Sequence, residues 1–403
     1  MTNARTARLR SWLALAAAAA LFFVCVWIII PAPTYALLTF SVGAPEASAG
    51  LIIIALLVGA LAFADRRRRT SDIALGLAVA SLILAALPLL RFPDTARRFD
   101  AAMHAALGDE YLRGLSTAAR SAMRPKPLIG KDLLRAIEPG SFRVTSGIAF
   151  AAQDGVPLAL DVYRPPVAGT YPVVVQIYGG AWQRGTPSDF ADFARYLAAR
   201  GYVVICPDYR HAPRWQWPSQ IDDIRAALGW IRQHGSEYDA DASRIALIGR
   251  SAGAHLALLA AYEAQPTNAA PIRGVVSYYG PTDLIDAYLH PPSPDPLHVR
   301  KTESDFIGGS PAARAERYRD ASPITYANHP LPPTLLVYGA RDHIVEPKYG
   351  ERLYSRLTAT GTTAVLLEIP WADHAFDAVP NGISAQLALY HTERFLAWAL
   401  RER

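Results

Sequence analysis

Two regimes of hydrophobic patterning divide this chain of 403 residues. The first ninety positions hold three apolar runs without a charge, Trp12–Ile30, Ala47–Ala64 and Ile73–Leu90. Each is about as long as the 17–25 residues a helix needs to cross a bilayer, so transmembrane helices are expected at 12–30, 47–64 and 73–90. From residue 141 the pattern changes. Short apolar runs at 171–178, 202–206, 244–249, 273–279, 333–339 and 364–370 alternate with helix-like stretches at 187–200, 219–234, 252–263, 346–359 and 382–400. That alternation predicts an α/β fold with a doubly wound, mostly parallel sheet. Two further strands flank Gln153-Asp154-Gly155, a hairpin turn signal. Residues 92–140, broken by Pro125, Pro127, Pro139 and Gly140, read as a helical linker or cap. Residues 284–332 are Pro-rich and irregular, and read as a cap insertion. The expected organisation is a membrane anchor over 1–91, the linker over 92–140, and one large domain over 141–403.

Charge orients the anchor. Arg5, Arg8 and Arg10 precede the first run, and Arg66 to Arg69 separate the second from the third, whereas residues 31–46 carry no Lys or Arg. Positive residues stay cytoplasmic, so an odd number of spans puts the large domain on the extracytoplasmic side. Arg91, Arg97 and Arg98 pull the other way, but four clustered arginines in a very short loop outweigh three spread beside Asp94 and Asp100. A first run cleaved as a leader would leave the domain on the same side. The net charge of +5 lies entirely in the first hundred residues, where ten arginines face five carboxylates. The remainder is balanced, which gives no basic surface for nucleic acid. The two cysteines, Cys25 in the first run and Cys206 in a strand, are not expected to pair.

Chemistry enters at Gly249-Arg250-Ser251-Ala252-Gly253, between the apolar run Ile245–Ile248 and the helix-like run from Ala254. A serine between glycines at a strand-to-helix junction is held out at the tip of a sharp turn, at a helix N-terminus suited to negative charge. Such a hydroxyl needs a base, and the base an acid, which follow in the order Ser, Asp, His. Asp342 lies just past the run ending at Gly339, and His374 just past the run ending at Pro370. His343 is a competing base, but it adjoins Asp342 and cannot pair with it. Asp283 is a fallback acid, and Asp373 and Asp377 are expected to be solvated. Gly179-Gly180-Ala181-Trp182 follows the strand at 171–178, where backbone N–H groups of Gly180 and Ala181, with that of Ala252, would bind an oxyanion. Losing one such donor costs on the order of 3 kcal/mol of barrier. Trp182 and Tyr209 are candidate pocket residues. No metal-ligand spacing or phosphate-cradling loop is present, so no cofactor or metal is expected.

Residues 141–403 resemble the esterase branch of the α/β-hydrolase superfamily, the group of hormone-sensitive lipase, acetyl esterases and feruloyl-esterase-like enzymes. The resemblance rests on Tyr178–Trp182, Pro207–Pro213, Gly249–Gly253, Gly339–Asp342 and Asp373-His374, with support from Asp305–Gly309 and Tyr318–Pro323. It implies Ser251 as nucleophile, His374 as general base and acid, Asp342 as the orienting carboxylate, and Gly180, Ala181 and Ala252 as the oxyanion hole. The chain departs from the family in two places, with Tyr178 where His is usual and Ala181 where a third Gly is frequent. The expected activity is hydrolysis of a small-molecule or lipid carboxylic ester through an acyl-enzyme. Acyl transfer to envelope lipids or glycans, and a non-catalytic membrane protein reusing the fold, are the alternatives.

Overall fold

In the computed structural model, the structure describes residues 2–64, 68–263 and 272–402. Arg66 and Arg67 of the expected cytoplasmic cluster lie outside these described residues.

Four helices open the chain: α1 (Thr2–Val26), α2 (Tyr35–Glu46), α3 (Ser48–Ala64) and α4 (Arg69–Leu107). Two stretches, Arg8–Val26 of α1 and Arg69–Leu107, are long and apolar enough to cross a membrane, while α2 and α3 form a pair bent by 87° that would make a third span only if taken together. Where α1, α3 and α4 meet, alanines fill much of the seam: Ala14, Ala18, Ala62 and Ala74 are buried in one cluster, and Cys25, Ala44, Ala55 and Ala85 are buried in the next beside the larger Leu21, Ile28 and Leu51. The large apolar side chains Leu13, Ile53, Leu57, Leu61, Val79 and Ile83 point outward. An alanine-rich seam lets helix backbones approach closely, a feature that helices packed within lipid share.

The expected boundary at 91/92 falls inside α4. Pro88 and Pro93 each remove a helical N–H, yet the helix runs on to Leu107. The reason is tertiary: Phe92, Ala96, Phe99 and Met103 recur at helical spacing and join the core of the large domain. Residues beyond it, with the short helix α5 (Thr117–Ala122), are strapped to the C-terminal helix rather than placed over a cleft. Buried Arg124 bonds Asp132 at 3.0 Å and Gln386 at 2.7 Å.

The large domain is built on eight strands, β1 (Arg143–Gln153), β2 (Val156–Arg164), β3 (Tyr171–Ile177), β4 (Val203–Pro207), β5 (Ala240–Arg250), β6 (Ile272–Tyr278), β7 (Thr334–Gly339) and β8 (Ala364–Ile369). Their order is β1-β2-β4-β3-β5-β6-β7-β8. β2 runs antiparallel to β1 and β4, and all other pairs are parallel. The hairpin turns at Asp154 and Gly155, both with positive φ, as a two-residue turn between right-twisted strands requires. Helices cover both faces: α6 (Ala191–Ala198), α7 (Ser219–His234), α8 (Ala252–Tyr262), then α12 (Lys348–Ala359) and α13 (Ile383–Ala399). The stretch expected to be irregular instead carries three short helices, α9 (Leu284–Leu289), α10 (Val299–Ile307) and α11 (Ala315–Asp320). Central strands read as unbroken apolar runs because both faces are covered, and Ile245 to Ile248 are essentially sequestered.

Candidate active site

The elbow is a matter of close packing. β5 ends at Arg250, Ser251 adopts φ +52° and ψ −122°, and α8 starts at Ala252. A Cβ on Gly249 would meet the Gly253 carbonyl oxygen at 2.2 Å, and one on Gly253 would meet the Ile177 oxygen at the same distance. Only hydrogen fits at either position. A serine at positive φ costs roughly 1–2 kcal/mol, and it persists because strand and helix over-determine the turn.

Asp342 and His374 arrive from the ends of β7 and β8, the carboxyl edge of the sheet where ligands bind in open α/β folds. His374 Nε2 lies 3.0 Å from Ser251 Oγ, and its Nδ1 lies 2.8 Å from Asp342 Oδ2. Asp342 Oδ1 accepts the N–H groups of Ile344 at 2.9 Å and Val345 at 2.8 Å. Burial raises the Asp342 carboxyl above its usual range, while the His374 charge and hydrogen bond and the Val345 N–H pull it back. The ring of Tyr279 packs edge-on against His374 at 4.6 Å and limits its tilt.

The loop after β3 turns through three residues of positive φ, Gly180 at +130°, Ala181 at +55° and Trp182 at +60°. Ala181 tolerates a conformation that glycine would adopt without strain. Among the described residues, the N–H groups of Gly180, Ala181 and Ala252 bond to no acceptor, and Ala181 and Ala252 line the same cleft as Ser251. Tyr178 fills the usual histidine position. Its hydroxyl bonds the Asp208 carboxylate and lies 2.9 Å from His211 Nε2, so a phenol braces the loop.

Trp182 is a wall of the cleft. Its ring stacks on Phe306 of α10 at 4.2 Å, and its Nε1 donates to His255 Nδ1 at 3.2 Å. Tyr209 does not line the cleft. It is 1% exposed, stacks beneath Tyr178 at 4.4 Å and donates its hydroxyl to the Tyr178 carbonyl at 3.1 Å, so the expectation of a substrate contact is corrected to a support. The cleft has a volume of about 50 Å³ and takes its far wall from the 284–332 stretch, through Ala287, Leu297, Val299, Thr302 and Glu303. No residue of 92–140 lines it.

Other expectations change as well. Asp373 and Asp377 are buried rather than solvated. Asp373 accepts the His374 N–H at 2.7 Å and bonds His343 at 3.0 Å. Asp377 takes the Arg250 guanidinium and the Tyr279 hydroxyl. Arg250, inside the glycine-serine motif, is thus a buried anchor, with its guanidinium over the ring of Phe190 at 4.2 Å. Asp283, the fallback acid, caps α9 by accepting the Asp286 N–H. Among the described residues, no group of three His, Cys, Asp or Glu side chains is arranged to hold a metal ion.

Comparison with known proteins follows this geometry. Residues 160–357 match the family model described as BD-FAE. The chain is 32% identical to a probable carboxylic ester hydrolase, LipM of Mycobacterium tuberculosis, over 77% of this chain and 75% of that one. The chain belongs to the α/β-hydrolase esterases. Esterase LipC of the same organism is 34% identical over 54% of this chain and 57% of its own length. Among solved structures, a bacterial heroin esterase superposes with a TM-score of 0.57 at 23% identity, covering 77% of this chain and 92% of that one. An esterase of Pyrobaculum calidifontis superposes with a TM-score of 0.58 at 23% identity, covering 72% and 100%. At these identities the likeness speaks for the fold. The esterase is a carboxylesterase-type hydrolase acting on a small-molecule ester, and its two long apolar helices point to membrane association.

Proposed function

We propose that this chain is a membrane-anchored serine esterase working through an acyl-enzyme. The observation that carries the reading is the unbroken hydrogen-bonded series from Ser251 Oγ through His374 to Asp342. Ser251 Oγ attacks the ester carbonyl carbon while His374 Nε2 takes its proton, and Asp342 Oδ2 stabilises the imidazolium that results. The carbonyl oxygen becomes an oxyanion within reach of the Gly180, Ala181 and Ala252 N–H groups. Collapse of this intermediate expels the alcohol, which leaves with the proton from His374. Water then gives a proton to His374 and its oxygen to the acyl carbon, releasing the acid and restoring Ser251. A cleft of about 50 Å³ beside the serine favours a short group next to the carbonyl.

The multi-pass, extracytoplasmic arrangement is part of the same proposal. The alanine-rich seam between α1, α3 and α4 supports insertion, and the arginines at the N-terminus and before α4 favour a cytoplasmic location for those ends. The other end of the bundle meets the esterase at the sheet edge that carries Ser251. Tyr35 Oη accepts from Arg184 at 2.7 Å, the Ala32 carbonyl lies 3.1 Å from His343 Nε2, and Arg341 bonds the Ile29 carbonyl. An ester carried at the outer membrane surface therefore suits the site. A fluorophosphonate probe is expected to label the purified full chain, and Ser251→Ala to abolish both labelling and hydrolysis of p-nitrophenyl butyrate. Labelling that survives the substitution would refute the assignment.

A further inference from the structure

The wall that α10 gives the cleft contains a carboxyl group without a partner among the described residues. Glu303 sits in the middle of α10, is 3% exposed, and lines the cleft together with Ser251, Ala181 and Trp182. Its Oε2 is buried without a hydrogen-bond partner among the described residues, and no ion pair reaches it there. The groups around it offer no relief. Thr302 beside it donates its hydroxyl to the Leu297 carbonyl at 2.8 Å. Lys348 and Arg352 of α12 are both engaged by Asp286, the latter at 3.0 Å. Tyr318 donates to the Gly309 carbonyl at 3.1 Å, and Tyr349 is bonded to Asp286. The charged neighbours that act on it, Asp283 and Asp295, are of like sign. Burial first, and those two carboxylates second, push the Glu303 carboxyl above the ordinary carboxylate range.

A buried, unpaired carboxyl destabilises the free protein, and a residue of similar size such as leucine would remove that cost. The lining around it is mostly apolar, through Ala287, Leu297, Val299 and Ile344. An apolar pocket with one polar group is how a site fixes the identity of a small ligand. The unpartnered Oε2 wants a hydrogen-bond donor, which a neutral hydroxyl supplies and which neither a plain alkyl chain nor a carboxylate does.

We propose that Glu303 is a specificity-determining residue of this esterase, and that it selects short esters bearing a hydroxyl close to the ester carbonyl. The proposal rests on the serine-esterase reading above, since it needs the substrate carbonyl at Ser251. The hydroxyl can sit on the acyl side, as in a 3-hydroxybutyrate ester, or on the alcohol side, as in a glycol monoester. An ester lacking it leaves the carboxyl unpaired in the bound state, and that difference is what discriminates.

The test compares kcat/KM of the full chain in detergent for p-nitrophenyl 3-hydroxybutyrate against p-nitrophenyl butyrate, and for 2-hydroxyethyl butyrate against propyl butyrate. The wild type is expected to favour the hydroxylated member of at least one pair about ten-fold, the effect of one neutral hydrogen bond. Glu303→Gln, which keeps a donor and an acceptor, retains the preference. Glu303→Leu loses or inverts it, and melts no lower than the wild type because it removes an unpaired buried group. Whichever pair responds identifies the side that carries the hydroxyl. Equal ratios in all three proteins, with fluorophosphonate labelling of Ser251 intact, overturn the role of Glu303 and leave the esterase reading standing. Absence of labelling and of all hydrolysis instead condemns the esterase reading itself. A preference for ammonium-bearing esters that Glu303→Gln abolishes also overturns the proposal, because it means an ionised carboxylate.

Discussion

Asp342→Asn is a sharp test of the acid–base geometry, because the structure decides which way the new amide must point. Oδ1 of Asp342 accepts two backbone N–H groups, from Ile344 and Val345, and Oδ2 faces His374 Nδ1. Asparagine has one oxygen and one NH₂. Its oxygen must take the Oδ1 position, since the reverse would set the NH₂ against two donors in a buried site. The NH₂ then faces His374 Nδ1. A donor there turns the imidazole into the tautomer with its hydrogen on Nε2, which presents an N–H to Ser251 Oγ at 3.0 Å instead of a lone pair. The base is lost although every heavy atom stays in position. Serine hydrolases with a trapped tautomer lose about 10⁴ in kcat, which is about 5.5 kcal/mol of barrier at 1.36 kcal/mol per decade. The fold should survive, because the substitution removes a buried charge and keeps both backbone hydrogen bonds. The assay is kcat for p-nitrophenyl butyrate beside the thermal midpoint of the same preparation. A variant of unchanged midpoint that retains more than a tenth of wild-type kcat would show that His374 does not depend on Asp342.

Two further outcomes are expected. Burial drives the His255 imidazole down to about 4 despite its bond to the Ala321 carbonyl. Between about 6.5 and 4 the unfolded chain therefore binds a proton that the folded one refuses. Stability present above pH 6.5 should fall by on the order of 3 kcal/mol as the pH drops to 4. Denaturant unfolding of the wild type and His255→Phe at pH 7 and pH 4.5 checks this, and equal pH slopes in both would contradict it. For the membrane topology, Val167→Cys, exposed at 68%, should react with an impermeant maleimide in intact spheroplasts, whereas Arg69→Cys should not. The opposite pattern would put the esterase in the cytoplasm.

The elements legible in the sequence were those whose cause is local. The Asp154-Gly155 turn and the strand–serine–helix junction follow from patterns within a dozen positions, because left-handed backbone and strand or helix periodicity are local physics, whereas Asp342 and His374 are found by their order after Ser251 and their places just past strand ends. What escaped depends on contacts between distant positions. Asp377 reads as a solvated loop residue until Arg250, 127 positions away, is folded against it. The end of α4 reads as part of a linker because its apolar stripe is short and mixed with charge, and its burial against the large domain is not visible in the sequence. Tyr209 flanks a motif loop, but only the stacked ring of Tyr178 reveals that it lies behind that loop. Glu303 gives no signal at all, since one glutamate in a polar helix is ordinary until the helix turns it toward a cleft.

The N-terminal helices do more than precede the esterase domain. Loops at the carboxyl edge of a sheet are its least constrained parts, yet Asp342 and His374 must stay within hydrogen-bonding reach of each other. One line of contacts ties them to the N-terminal helices. The Ala32 carbonyl, between α1 and α2, meets His343 Nε2, whose Nδ1 meets Asp373, whose carboxylate holds the His374 N–H. Burial alone would push the His343 imidazole down, but the hydrogen bond and charge of Asp373 win and hold it above its usual value. Burial would likewise raise Asp373, and His343 holds it down instead. Both directions are those of an ion pair, so the loop bearing His374 is fixed from outside by a charged contact as well as from inside by packing. α4 adds the second attachment through Phe92, which lies 6.1 Å from Trp371 just upstream of that histidine. A domain cut free at residue 141 would lose Ala32 and Phe92 together, and with them the supports of the loop that carries the base.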